Sequence, residues 1–387
     1  MLRLRKAKLN VALSPGKMKA LIFIPTLTVG GAERVASILA NRWCEYPETS
    51  VTLLLMFDDE ICFPVDPRVK IRSLGQTPNL GAVACLLSVA RASLLFRQVV
   101  KEEAPDFVLS FMNKYNVFCL ASLLGTGIRT IVSERDSPTE GKRELNWRFR
   151  QVLYPLASGV ITQTEEGKRH LIKRIGDLNV AVIYNPVGIS KTNEFSLNRE
   201  NVVLNVGRLV AKKGQADLLR AFAKAGNPDW NLVICGDGPL RKDLEALARH
   251  LGLNDRVRFM GTVKDVNICY ARAGVFAFPS YCEGFPNALA EAMVAGAPTV
   301  SYDCPTGPAE LIDHGQNGYL VEVGDIEGMA RHLRELMTDT AQREQFSRNA
   351  ARVADKLDAA KIAKRYFEFC AASAAQHKRL HRPCSRL

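Results

Sequence analysis

Short apolar runs alternate with helix-like segments along nearly the whole chain, and no other feature limits the fold as much. Residues 20–26, 51–57, 69–73, 106–111, 129–133, 159–163 and 180–184 read as strands. After Tyr184-Asn185-Pro186-Val187 a second set follows at 202–206, 231–235, 257–260, 275–279, 299–302 and 319–321. Runs this apolar suit strands covered on both faces, and helices between them imply a parallel sheet. The pattern predicts an α/β protein with two doubly wound domains facing a central cleft. The expected boundaries are a basic extension over 1–17, a first domain over 18–184, a linker over 185–200, a second domain over 201–360, and a closing helix end with basic tail over 361–387. One long helix is expected over about 341–372. A length of 387 residues exceeds one ordinary core and fits two.

The net charge of +12 raises the question of an anionic partner, so its location matters. Arg3, Arg5, Lys6, Lys8, Lys17 and Lys19 have no acid among them, and neither do Lys378, Arg379, Arg382 and Arg386. The body between these tails is close to neutral. The tails suit contact with an anionic membrane or plain solvation, with RNA a weaker reading. The ten cysteines are scattered without a CxxC pair, which argues against a zinc or redox motif and fits inert thiols in a reducing compartment. No apolar run reaches about 18 residues, so no transmembrane helix is expected. No export signal is evident, and Met18 opens a better strand than Met1.

Chemistry concentrates in the second half. In the stretch Ser280 to Gly296 a strand ends, a turn carries Glu283 and Gly284, and a short helix begins at Pro286. Pro suits a helix start, and the N–H groups of Asn287, Ala288 and Leu289 would lack partners there. Such an end binds phosphate. Glu283 and Glu291 flank it, each able to accept bonds from sugar hydroxyls. The same stretch also reads as a plain strand–turn–helix link. Arg208 and Lys213 leave an earlier strand on a basic loop, able to grip a diphosphate by a fork and a point charge. Cys235-Gly-Asp-Gly-Pro239 reads as a structural turn. Gly30-Gly31 either lets a backbone approach a ligand or makes a tight turn. Residues 142–154 mix bases with Trp147, Phe149 and Tyr154, which suits a helix on anionic lipid, one holding a lipid pyrophosphate, or an ordinary surface helix. There is no Asp-x-Asp, HExxH, P-loop or serine elbow, so neither a metal nor a cofactor is expected. Arg208, Lys213 and a helix dipole would neutralise phosphate instead.

Gly30-Gly31-Ala32-Glu33, Gly207-Arg208-Leu209 with Lys213-Gly214, Gly236-Asp-Gly-Pro239 and Glu283-Gly-Phe-Pro286 through Glu291-Ala-Met293 occur in the order seen in one family. Together they resemble the retaining glycosyltransferases of family 4, with the GT-B fold of two Rossmann-like domains and an E-x7-E motif. The likeness is greatest to the bacterial branch that builds surface polysaccharide, lipopolysaccharide or glycan on undecaprenyl diphosphate. The resemblance implies that Arg208 and Lys213 hold the donor diphosphate, Glu291 the ribose and Glu283 the donor sugar. The N–H groups of Phe285, Pro286's neighbour Asn287 and Ala288 would line the diphosphate, and Gly31 would let a first-domain loop close over it. The implied partners are a UDP-sugar, a lipid-linked saccharide and the inner face of the plasma membrane, with no nucleic acid. Many relatives carry His after Ser-Glu on the fifth strand, where this chain has Ser133-Glu134-Arg135-Asp136, so Arg135 is a candidate for sugar or acceptor phosphate. The alternatives are a sugar-nucleotide epimerase of the same fold and a non-catalytic nucleotide- or RNA-binding protein.

Overall fold

The computed structural model describes residues 18–28, 30–76, 82–135, 144–188, 199–263 and 265–380, with backbone alone for 82–86, 144–146 and 376–380. The basic extension, Asp136, most of the expected linker and residues 381–387 lie outside the described residues. The strands are β1 (Met18–Ile24), β2 (Thr49–Phe57), β3 (Lys70–Gln76), β4 (Phe107–Phe111), β5 (Thr130–Ser133), β6 (Gly159–Thr162), β7 (Val180–Val182), β8 (Glu200–Val206), β9 (Asn231–Cys235), β10 (Val257–Gly261), β11 (Ala273–Phe278), β12 (Thr299–Tyr302) and β13 (Tyr319–Val321). Every expected strand is present, displaced by at most a few residues at its ends.

Two sheets result, in the orders β3-β2-β1-β4-β5-β6-β7 and β10-β9-β8-β11-β12-β13. β1 pairs in parallel with β2 and β4, and β8 with β9 and β11. Each sheet therefore winds outward in both directions from its first strand, the doubly wound arrangement of the GT-B fold. In the second sheet the order reverses between β8 and β11. Ligands of such sheets bind beyond the carboxyl ends of the strands at that reversal.

The chain divides into two compact units. One comprises residues 1–133, 149–160 and 363–387, and the other 134–148 and 161–362. Each has its own apolar core. The first gathers Leu21, Phe23, Leu54, Phe96 and Val108, with the Phe23 and Phe96 rings 4.7 Å apart. The second gathers Phe222, Trp230, Leu232, Ile234, Val275, Ala277 and Leu333. Transfer of these side chains out of water is the main term favouring each core.

The expected helix over 341–372 is broken. Helices Thr340–Ala350 and Ala359–Leu380 are separated by a 3-10 turn, Ala351–Asp355. The cause is a contact with a distant segment: Val187 N–H donates to Leu357 O at 3.0 Å, and Val187 forms a parallel bridge with Asp358. Backbone held in a bridge cannot continue a helix. The Asp358 carboxylate then accepts from Lys361 N–H at 2.8 Å and starts the next helix. From Ala363 onward this helix belongs to the first unit, where Trp43 Nε1 donates to Ala363 O at 2.9 Å. Phe367 packs there against Trp43, Tyr46 and Phe107.

Candidate functional site

β8 ends at Val206 and releases the loop Gly207–Gly214; β11 ends at Phe278 and releases the turn Pro279–Pro286. Because β8 and β11 are paired neighbours, the two loops emerge side by side at the reversal point. Tyr281 N–H donates to Lys212 O at 2.9 Å, joining them through the backbone. Gly214, with φ +67, packs so closely on Pro279 that a Cβ there would overlap the Pro279 carbonyl.

This proximity brings together two residues far apart in sequence. Lys213 Nζ lies 2.5 Å from Glu283 Oε1, and Lys213 also stands over the Phe278 ring. Both side chains are mostly buried. The Glu283 carbonyl accepts from Thr306 Oγ1, so main chain and side chain of this residue are both held. Arg208 is exposed on the β8 loop, and its carbonyl accepts from Val210 N–H and from the buried Gln215 side chain.

The helix after the turn spans Asn287–Val294, with Pro286 at its cap rather than inside it. Asn287 N–H donates to Phe285 O at 2.9 Å, so this group differs from the expectation that it points outward without a partner. The N–H groups of Ala288 and Leu289 are left as the helix-end donors to which an anion is suited. Phe285 is buried and its ring meets that of Tyr184, centroids 5.9 Å apart. Glu291, one turn in, is 9% exposed and accepts from Tyr270 Oη at 3.1 Å.

Arg135 reaches this helix through one intermediary. Its Nη1 donates to Asn185 Oδ1, and Asn185 Nδ2 donates to Asn287 Oδ1 at 2.8 Å. Asn185, 3% exposed, is a residue that sequence reasoning placed in a linker. The available signal was an amide set between apolar Tyr184 and Val187, a buried polar group in want of a partner. Gly31 opens the helix Gly31–Trp43 beyond β1 in the first unit; the other candidate site residues belong to the second. The turn after β9 is structural, since Leu209 N–H donates to Asp237 O and a Cβ on Gly236 would overlap Gly207 O. Among the described residues no group of three His, Cys, Asp or Glu side chains could hold a metal ion.

On the basic segment, the helix Glu144–Leu153 places its charges unequally. Arg150 is buried over the Tyr154 ring, and Arg174 lies over Trp147 at 4.6 Å. Lys142 and Arg143 lie outside the described residues. Phe149 and Val152, 51% and 69% exposed, stand one turn apart on this helix, and Leu156, 56% exposed, lies on the 3-10 turn Tyr154–Leu156 that follows it. No helix among the described residues is long and apolar enough to cross a membrane.

The sequence profile described as "Glycosyltransferase Family 4" matches residues 29–191, and that described as "Glycosyl transferases group 1" matches residues 190–353. A Campylobacter jejuni alpha-1,4-N-acetyl-D-galactosaminyltransferase, acting on GalNAc-alpha-(1->4)-GalNAc-alpha-(1->3)-diNAcBac-PP-undecaprenol, is 30% identical over 86% of this chain and 92% of its own. An amylovoran biosynthesis glycosyltransferase of Erwinia amylovora is 29% identical over 86% of this chain and 93% of its own. Among solved structures, Anabaena HepE in complex with UDP and glucose superposes with a TM-score of 0.76 at 23% identity, over 92% of this chain and all of that one.

Proposed function

Because the chain belongs to the glycosyltransferases of family 4, we propose that it transfers an N-acetylhexosamine of the GalNAc class, or a related hexose, from a UDP-sugar to a lipid-linked saccharide. The carrying observation is the convergence of Lys213, Glu283 and the Asn287 helix start at the carboxyl ends of β8 and β11.

In this reading the donor diphosphate sits on the N–H groups of Ala288 and Leu289. Lys213 and Arg208 offset the charge that grows on the leaving phosphate. Glu291 accepts from the ribose hydroxyls and Glu283 from the sugar. The bond from the anomeric carbon to phosphate breaks as the acceptor oxygen attacks from the same face, so configuration is retained. The acceptor proton passes to the leaving phosphate. No protein nucleophile and no metal enter these steps. The Arg135–Asn185–Asn287 chain supports a role for Arg135 in fixing the helix end, beside or in place of direct sugar contact.

The relative's undecaprenol-linked substrate supports an acceptor of that class and a place on the inner face of the plasma membrane. The exposed Phe149, Val152 and Leu156 support peripheral contact there. Mass spectrometry of undecaprenyl-diphosphate-linked saccharides after incubation with a panel of UDP- and GDP-sugars tests the proposal. A product one sugar heavier, formed from a UDP-sugar, is expected. Consumption of UDP-sugar without any second saccharide would identify an epimerase and overturn it.

A further inference from the structure

Asp217 is 8% exposed on the helix Gln215–Ala225, four positions beyond Lys213, and no role given above uses it. Its Oδ2 accepts from Tyr281 Oη at 2.7 Å and from Tyr302 Oη at 3.1 Å. Its Oδ1 faces Arg220 Nη1 at 3.3 Å. The two tyrosine rings stack with planes 14° apart and centroids 6.1 Å apart. Burial, and then the Asp217 carboxylate, push both phenols up, Tyr281 to about 12, so each keeps its proton and donates.

Tyr281 stands two residues before Glu283, and its own N–H is held by Lys212, the neighbour of Lys213. A Lys–Glu pair alone is a soft link, because both side chains are long and rich in rotamers. Tyrosine is stiffer, with few rotatable bonds and a hydroxyl at fixed reach. The segment 212–217 and the turn 279–283 are thus joined by a backbone bond, an ion pair and a phenol–carboxylate bond.

We propose that Asp217 is a positioning residue: through Tyr281 and Tyr302 it fixes the turn bearing Glu283 against the segment bearing Lys213, and so sets Lys213 toward the donor diphosphate and Glu283 toward the donor sugar. The proposal rests on the donor-site reading above. Pre-set geometry of this kind is what a charged site needs if binding is not to be spent on ordering side chains.

The test is calorimetric titration of the full chain with UDP, with melting temperature measured alongside, for K213A, Y281F, D217N and K213A/Y281F. K213A is expected to weaken UDP about tenfold or more. Y281F and D217N should each weaken it about three- to tenfold while melting stays within about 2 °C. The double variant should bind no more weakly than K213A, because Tyr281 acts by placing Lys213. Losses that multiply in the double variant would overturn the proposal. Wild-type UDP affinity in Y281F and D217N, with K213A impaired, would overturn it and leave the donor reading standing. Wild-type affinity in K213A would sink the donor reading, and this proposal with it. Should D217N not fold, Y281F decides alone, since it keeps the ring and its stack and removes one hydroxyl.

Discussion

Lys213 Nζ and Glu283 Oε1 stand 2.5 Å apart, each carried on a loop that leaves a different strand of the same sheet. Without a ligand the two charges satisfy one another. A donor diphosphate competes for the ammonium and leaves the carboxylate to accept from the sugar. The two residues should therefore fail differently. K213A should weaken UDP and lower transfer by about 10²-fold. E283Q should lower transfer by a similar factor, about 10²-fold, yet bind UDP within about twofold of wild type. Initial rates beside UDP titrations separate the two; equal loss of UDP affinity in both variants would contradict this division of labour.

Gly214 joins the same loops from the backbone side. Its φ of +67 and its closeness to the Pro279 carbonyl leave no room for a Cβ. G214A is expected to destabilise the protein by about 2–3 kcal/mol and to lower transfer beyond the loss of folded protein. Urea denaturation read against specific activity checks it; an unchanged midpoint would show that the loops can part cheaply.

Arg199 is a structural cation. Its guanidinium donates to the carbonyls of Tyr270, Ala271, Ala273 and Ala295, closing the carboxyl ends of helices Val266–Arg272 and Asn287–Val294. Burial pulls its pKa down to about 10. Loss of the side chain strands several buried carbonyls, so R199A should cost about 3 kcal/mol. Denaturant melts measure this, and R199K, a point charge without the fork, should recover only part of it.

A pH response is expected at His332. Its ring stacks on Tyr319 with centroids 4.0 Å apart and bonds to Glu335 at 3.1 Å. Burial lowers its pKa from the ordinary 6.5, and Glu335 offsets this only in part. The unfolded chain thus takes up a proton that the folded chain resists. This contribution to stability is present above about pH 6.5 and is lost as pH falls below it. Burial would raise Glu335, but hydrogen bonds from Tyr319 and His332 outweigh it and lower its pKa, so its own effect appears at more acid pH. Melting temperatures from pH 7.5 to 5.5 should fall in the wild type and fall less in H332Q.

The exposed side of the segment 149–156 makes a prediction about membranes. F149D/V152D should reduce pelleting with vesicles containing anionic lipid while leaving UDP binding unchanged. Removing residues 1–17 should reduce pelleting independently, through lost charge, and this component should vanish in high salt. Undiminished pelleting of both variants would count against peripheral contact through these elements.

Much of this arrangement was legible in the sequence because buried parallel strands read as continuous apolar runs. β9, β12 and β13 match their expected ranges to the residue. The candidate residues Glu283 and Lys213 were legible as charged groups at strand ends, but not as partners, since nothing local records that β8 and β11 are neighbours. The same holds for Asn185, Tyr270 and Asp217. Each is fixed by a hydrogen bond reaching from 21 to 102 positions along the chain, and such bonds leave no periodic trace. The break between Ala350 and Ala359 was hidden for the same reason, because its cause is a bridge to Val187.

The return of the last helix to the first unit has a consequence for how the protein is made. Trp43, Tyr46 and Phe107 are translated early, yet Phe367 and the Ala363 carbonyl that cover them come last. The first unit to be synthesised cannot finish its core until residues 363–367 have been made. The second unit has all of its residues by 362, before its neighbour has all of its own. Chains lacking residues beyond 362 would keep the residues of the sheet around β8 and β11 but leave the aromatic face of the first unit uncovered. Quality-control proteases and chaperones would meet that face first.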